Sequence, residues 1–254
     1  MPNLRPDQLI ALFFCCLLLL LQGSLAEANG FLQLDADAQE LSLLEPEPFP
    51  RVIDNIVEDQ SQITPNSQEL DPFSLISAKS YLVLDPDSAT VLISRNKYQP
   101  LHPASTVKLM TALVAVEEYS LDEILPTEAG QNAIGNRVGF VWGAQLTVKD
   151  LITATLVNSG NDAAQVLAAS HPQGYQGFID QMNQKATQLH LNQTFFTNPT
   201  GIDDYKQLTS AWDLSLLARE VLKNELLSEL VSLPTASIFD QETGYQYHLY
   251  NTNQ

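Results

Sequence analysis

Two stretches place a serine three residues ahead of a lysine, Ser105-Thr106-Val107-Lys108 and Ser94-Arg95-Asn96-Lys97. On a helix that step is roughly 300° around and 4.5 Å along the axis, so the amine can fold back onto the hydroxyl. If the helix is buried, desolvation lowers the lysine pKa, and the neutral amine can take the serine proton to release a nucleophile. Ser105 and Lys108 head a long apolar run and fit this picture. Ser94 and Lys97 sit at a strand end beside charged residues, where Lys97 stays solvated. For Ser105 alone, an ordinary helix-capping serine is the competing reading. A second polar cluster, Ser159-Gly160-Asn161, falls in a break between two apolar helical runs, where its side chains can point into a cleft. Its bland counterpart is a helix cap followed by a new helix start.

These residues need elements to hold them. Tyr81-Leu82-Val83-Leu84 and Thr90-Val91-Leu92-Ile93 read as strands joined through the turn chemistry of Asp85-Pro86-Asp87-Ser88. The run from Ser105 to Val116, with Pro103 just before it, reads as a helix buried on most faces. Thr147 to Asp150 resembles a capping box opening a helix through Val157, and Asp162 to Ala169 resumes as the next. Gln176 to Leu189 and Ser210 to Leu222 are amphipathic. Thr235 to Phe239 and Tyr245 to Tyr250 read as strands around a Glu242-Thr243-Gly244 turn. A hairpin, several helices and strands again make an α+β layout, in which distant strands would have to meet in one antiparallel sheet.

The chain of 254 residues is 44% hydrophobic and carries a net charge of −18, from 30 acidic and 12 basic residues. Such a balance repels phosphate backbones and argues against a nucleic-acid partner. Residues 27–73 hold eleven acids against the single base Arg51, a net −10, so more than half of the excess sits in a tail or linker. Both cysteines, Cys15 and Cys16, lie in one apolar run, which leaves the rest of the chain without disulfides, thiolate catalysis or cysteine metal sites. His102, His171, His190 and His248 show no ligand spacing, so neither a metal nor any other cofactor is expected. Asn192-Gln193-Thr194 matches a glycosylation sequon and is taken as chance.

Leu9 to Leu21 is an unbroken run of thirteen apolar residues after Arg5. As a helix it spans roughly 20 Å, short of the roughly 30 Å hydrocarbon core. Ser24 and Ala26 are placed for cleavage after Ala26, so residues 1–26 read as a secretory signal peptide, or as a membrane anchor if uncleaved. Residues 27–73, with Glu45-Pro46-Glu47-Pro48-Phe49-Pro50, read as an acidic disordered linker. Residues 74–254 would form the folded domain. Membrane contact would come only through the N-terminal segment, and the location would be periplasmic or otherwise extracytoplasmic.

The segments Pro103-Ala104-Ser105-Thr106-Val107-Lys108-Leu109-Met110-Thr111 and Asn158-Ser159-Gly160-Asn161-Asp162-Ala163-Ala164 resemble the first two motifs of the serine D-alanyl-D-alanine carboxypeptidases, the low-molecular-mass penicillin-binding proteins. Phe178 to Asn183, Thr194 to Gly201 and Thr209-Ser210-Ala211-Trp212-Asp213 match the connecting pattern of that family, and the likeness runs from about Lys79 to the last residue. The resemblance implies a β-lactamase/DD-peptidase-like fold, an antiparallel sheet with a helical layer. It also implies acyl transfer on peptidoglycan pentapeptide stems: Ser105 as nucleophile, Lys108 as its base, Ser159 passing a proton to the departing D-alanine, Asn161 binding the substrate backbone, and the Ser105 amide serving the oxyanion. β-Lactams would acylate the same serine.

One departure stands out. The family's third motif, lysine-threonine-glycine on a cleft strand, binds the substrate carboxylate, and no such triplet occurs here. Glu242-Thr243-Gly244 is the nearest, but a glutamate would repel a carboxylate, and it reads as a hairpin turn. The expectation is a chain cut before the third motif, lacking the C-terminal strands of the sheet: a fragment of a longer protein, or a truncated relative with impaired catalysis. Three further readings stay open: a DD-endopeptidase, a class A β-lactamase, and a catalytically impaired module that still binds peptidoglycan or penicillin.

Overall fold

The computed structural model describes residues 76–252 apart from Asp87. The segments read as a signal or anchor and as an acidic linker lie outside these residues. Six helices and three two-stranded antiparallel ladders make up the described part, in the expected α+β class. No helix among the described residues is long and apolar enough to cross a membrane.

Strands β1 (Tyr81–Leu84) and β2 (Val91–Arg95) form the first hairpin, with Tyr81 opposite Arg95. A 3-10 turn, Ala104–Val107, runs directly into α1, Lys108–Glu118. Because α1 carries no charged residue between Lys108 and Glu117, it can be buried all round, and every residue from Lys108 to Ala115 is. It packs against α2 (Val148–Val157), α3 (Asn161–Ala169), α4 (Gly174–Gln188) and α5 (Ala211–Lys223). Met110, Ile152, Leu167, Phe178, Met182 and Leu217 fill the space between these helices.

The helix starts follow side-chain chemistry. Thr147 Oγ1 accepts from Asp150 N at 3.0 Å and opens α2, and Ser210 Oγ accepts from Asp213 N at 3.1 Å and opens α5. Two elements are not among those expected from the sequence, although the second carries an Asn cap and leucines at helical spacing. One is the short ladder of β3 (Ile124–Pro126) with β4 (Gln145–Thr147). The other is α6 (Glu225–Ser232), capped by Asn224 Oδ1 accepting from Leu227 N at 3.1 Å.

The last hairpin, β5 (Thr235–Phe239) with β6 (Gln246–Tyr250), turns through Glu242-Thr243-Gly244 as expected. Asp240 secures the turn, its carboxylate accepting from Glu242 N at 3.1 Å and from Thr243 Oγ1 at 2.6 Å. This hairpin does not join β1 and β2 in one sheet: among the described residues the three ladders are separate. The physical reason lies in their supports, since β5 and β6 lie on α2 whereas β1 lies on α5.

Candidate active site

The 3-10 turn that carries Ser105 is entered through Ala104, whose φ of 47° lies in the left-handed region that a β-carbon disfavours. This bend leaves the Ser105 side chain exposed while Thr106, Val107 and Lys108 turn inward. Gly201 fits against the bend. A β-carbon there would lie 1.9 Å from Ala104 O and 2.9 Å from Ser105 N, and its φ of +85° already requires glycine.

Lys108 is 3% exposed, and its Nζ donates to Ser105 Oγ at 3.2 Å and to the Thr200 carbonyl at 2.6 Å. Burial pulls its pKa from 10.5 down to about 8, with the Asp162 carboxylate pulling back in the opposite direction. An amine in this state is a base on hand at near-neutral pH beside a solvent-facing hydroxyl.

Asn158, Ser159 and Gly160 form the break between α2 and α3, Asn161 opens α3, and both helices pack on α1. Ser159 is partly buried, with φ 52°. The Asn136 side-chain amide holds this bend, donating to the carbonyls of Asn158 and, at 3.4 Å, Ser159. Asn136 O in turn accepts from Asn161 N at 2.8 Å. Asn161 is buried, its Nδ2 donating to Ile134 O at 2.5 Å while its Oδ1 has no hydrogen-bond partner. The next residue, Asp162, accepts from Val138 N at 3.1 Å and Gly139 N at 2.8 Å.

The structure therefore joins Ser105 to Lys108 directly, whereas the hydrogen bonds of Ser159 and Asn161 go to Asn136 and Ile134, and of this region only the charge of the neighbouring Asp162 bears on the amine. Sequence reasoning assigns no role to Asp162, Asn136 or Thr200. Asp162 and Thr200 fall inside segments that carry the family resemblance. Asn136 lies in a loop between β3 and β4 that shows no periodicity. No group of three or more His, Cys, Asp or Glu side chains among the described residues could hold a metal ion.

An α+β body with a serine hydroxyl and a buried lysine on one helical turn fits the class of the penicillin-binding DD-peptidases, and the family match places the chain there. The chain belongs to the D-alanyl-D-alanine carboxypeptidase family, peptidase family S11, whose model matches residues 65–254. It is 30% identical over 183 residues to D-alanyl-D-alanine carboxypeptidase DacF of Bacillus subtilis, covering 70% of this chain and 47% of the relative. It is 32% identical to the D-alanyl-D-alanine endopeptidase of Pseudomonas aeruginosa, covering 70% of this chain and 58% of the relative. The chain thus spans about half the length of these relatives. The crystal structure of a D-alanyl-D-alanine carboxypeptidase from Mycobacterium tuberculosis superposes with a TM-score of 0.63 at 31% identity, over 68% of this chain and 66% of that one.

Proposed function

We propose that this chain carries the nucleophile and base of a serine D-alanyl-D-alanine carboxypeptidase acting on peptidoglycan pentapeptide stems. The observation that carries the proposal is the 3.2 Å contact between the buried Lys108 amine and the exposed Ser105 hydroxyl. The neutral amine takes the Ser105 proton as Oγ bonds to the carbonyl carbon of the penultimate D-alanine. Negative charge developing on the carbonyl oxygen is met by the Ser105 N–H at the start of the turn. Collapse of the tetrahedral intermediate breaks the bond to the terminal D-alanine, whose nitrogen receives the proton from Lys108 by way of the Ser159 hydroxyl. Asn161 holds the substrate backbone. Water then attacks the Ser105 ester with Lys108 again accepting the proton, which releases the shortened stem and restores the serine. A β-lactam ring opens on the same oxygen and leaves a slower ester.

The substrate lies outside the cytoplasmic membrane, and residues 1–26, with their apolar run and small residues before position 27, support export of the domain on an acidic tether. The likeness to D-alanyl-D-alanine endopeptidases supports a second reading, in which the same attack falls on a peptide cross-link.

The deciding experiment incubates the full chain with a fluorescent penicillin and maps the adduct. A stable ester at Ser105, lost in Ser105→Ala, supports the proposal, and no labelling of folded protein overturns it. Rapid loss of label instead indicates a β-lactamase. Release of D-alanine from a pentapeptide, compared with cleavage of a cross-linked muropeptide dimer, separates carboxypeptidase from endopeptidase.

A further inference from the structure

The shortest hydrogen bond of the Lys108 amine goes to a backbone carbonyl, that of Thr200, at 2.6 Å, and not to Ser105. Thr200 lies in residues 197–201, a segment with no helix or strand to fix its carbonyls. Side chains fix them instead. Asn198 Oδ1 accepts from Thr200 N at 3.1 Å, Thr200 Oγ1 at 2.9 Å and Gly201 N at 2.9 Å, while Asn198 Nδ2 donates to Ile202 O at 2.9 Å. Gln207 Oε1 accepts from Thr197 N at 2.9 Å and Asn198 N at 3.0 Å. From the other side, Thr111 Oγ1, one turn beyond Lys108 on α1, donates to Pro199 O at 2.7 Å. Two successive carbonyls therefore face α1, and each meets a side chain from it.

We propose that Asn198 is a positioning residue for the acyl-transfer reaction: by gathering three donors onto one side-chain oxygen it aims the Thr200 carbonyl at the Lys108 amine, which holds that nitrogen within proton-transfer reach of Ser105 Oγ. A neutral amine has two N–H bonds and one lone pair, and rotation about its last carbon–nitrogen bond decides which of them faces the hydroxyl. With one N–H committed to Thr200 O, the three rotamers about that bond narrow to two, and one of these turns the lone pair toward Ser105 Oγ. Once the proton has crossed, the ammonium keeps Thr200 O as one of its acceptors. This inference rests on the reading of Lys108 as the base. The competing account is an Asn198 that merely stabilises a loop.

The test compares Asn198→Ala and Asn198→Asp with the wild-type chain in three readouts: melting temperature, penicillin acylation resolved into binding and chemical steps, and titration of Lys108 followed by NMR of ε-13C-labelled lysine. A misdirected amine in Asn198→Ala slows the chemical step by about 10²-fold, with penicillin affinity before acylation unchanged. The Lys108 titration moves below about 8, because an ammonium still out of water has lost an acceptor. Asn198→Asp keeps an oxygen for the same three donors and so recovers much of the chemical rate, while its charge raises the Lys108 titration and its second oxygen loses the bond to Ile202 O, so the titration is compared only between wild type and Asn198→Ala. A folded Asn198→Ala acylated at the wild-type rate overturns the proposal, as does a Lys108 titration that stays put or rises, which marks a loop that only excludes water. Should wild-type protein resist acylation, the carboxypeptidase reading fails, while the Lys108 titration still decides whether Asn198 places the amine. If Asn198→Ala does not fold, Asn198→Gln, which displaces the amide oxygen by one methylene, takes its place. Slower chemistry with a lowered Lys108 titration in that variant supports the proposal, and wild-type values overturn it.

Discussion

The Lys108 ammonium nitrogen lies 2.6 Å from the carbonyl oxygen of Thr200, a residue ninety-two positions further along the chain. Serine and lysine three residues apart are a local matter, but the surroundings that make the lysine a base are not. They are supplied by a loop beyond α4 and by the start of α3, brought together because α1 is the helix on which both pack.

The first consequence concerns stability. Folding takes Lys108 from 10.5 in the unfolded chain to about 8. A group with a lowered folded pKa binds fewer protons when native than when unfolded between those values, so its share of stability rises with pH across that window. Below pH 8 the native state bears the full cost of the buried amine, about 3 kcal/mol for a shift of this size. Lys108→Met is free of this cost. The stability of wild type relative to Lys108→Met should therefore improve by up to that amount from pH 7 to 10.5. Denaturant titration of both proteins along a pH series checks it, and a parallel pair of curves would contradict the burial of the charge.

A tight approach gives the second prediction. Gly201→Ala puts a β-carbon into Ala104 O and next to Ser105 N, at a backbone φ of +85°. Left-handed strain costs about 1–3 kcal/mol, and overpacking against immovable backbone adds a similar amount. The variant should melt well below wild type, and whatever remains folded should react slowly with penicillin because the nucleophile's turn has been pushed outward. Thermal unfolding combined with labelling normalised to folded protein measures both effects.

Much of this arrangement could be read from residue types. The uncharged stretch from Leu109 to Val116 could only be a buried helix, and Thr147 and Ser210 announced α2 and α5 because a hydroxyl three residues before an acid caps a helix from within its own sequence. The hairpins at Asp85–Ser88 and Glu242–Gly244 were legible for the same local reason. What stayed hidden depends on distant partners. Strands β3 and β4 are three residues each and carry too little pattern to detect. Pairing among ladders was misread because alternation shows which face of a strand is buried and not what covers it. Asn136, Asn198 and Asp162 act by holding backbone atoms of loops, and a polar side chain in a loop gives no sequence signal of what it will hold.

Asn136 supplies the third prediction. Its amide is exposed, yet it donates to the carbonyls of Asn158 and Ser159 around a serine held at φ 52°. Asn136→Ala removes these bonds at a cost of about 1 kcal/mol, the scale of a partly solvated hydrogen bond. Ser159 is then free to relax toward ordinary backbone angles, which carries its hydroxyl away from the proton path proposed for it. The expected result is a protein of near-normal stability that is acylated and deacylated about tenfold more slowly, since small displacements of a reacting group cost rate more than stability. Stopped-flow acylation and melting temperature together test it. A loss of stability as large as the loss of rate would show that Asn136 only supports the fold.

The last prediction sets charge against structure at Asp162. The carboxylate raises the Lys108 pKa against the larger lowering effect of burial, and it also accepts the backbone N–H groups of Val138 and Gly139. Asp162→Asn removes the charge and keeps one acceptor oxygen, but its amide NH2 must face either Gly139 N or both Val138 N and Ala163 N. A buried donor facing a donor costs about 1–3 kcal/mol, so the variant should be measurably less stable. Without the nearby negative charge the ammonium of Lys108 is less favoured, and its pKa falls below about 8. If the neutral amine is the base, the rate of penicillin acylation rises with pH through the Lys108 titration and levels off above it. The profile of Asp162→Asn should then keep its shape and move to lower pH, leaving the variant closer to its own plateau rate at neutral pH than wild type is to its plateau. A profile that moves upward, or one that does not move while stability falls, would mean that Asp162 serves the loop alone and that its charge does not reach the amine.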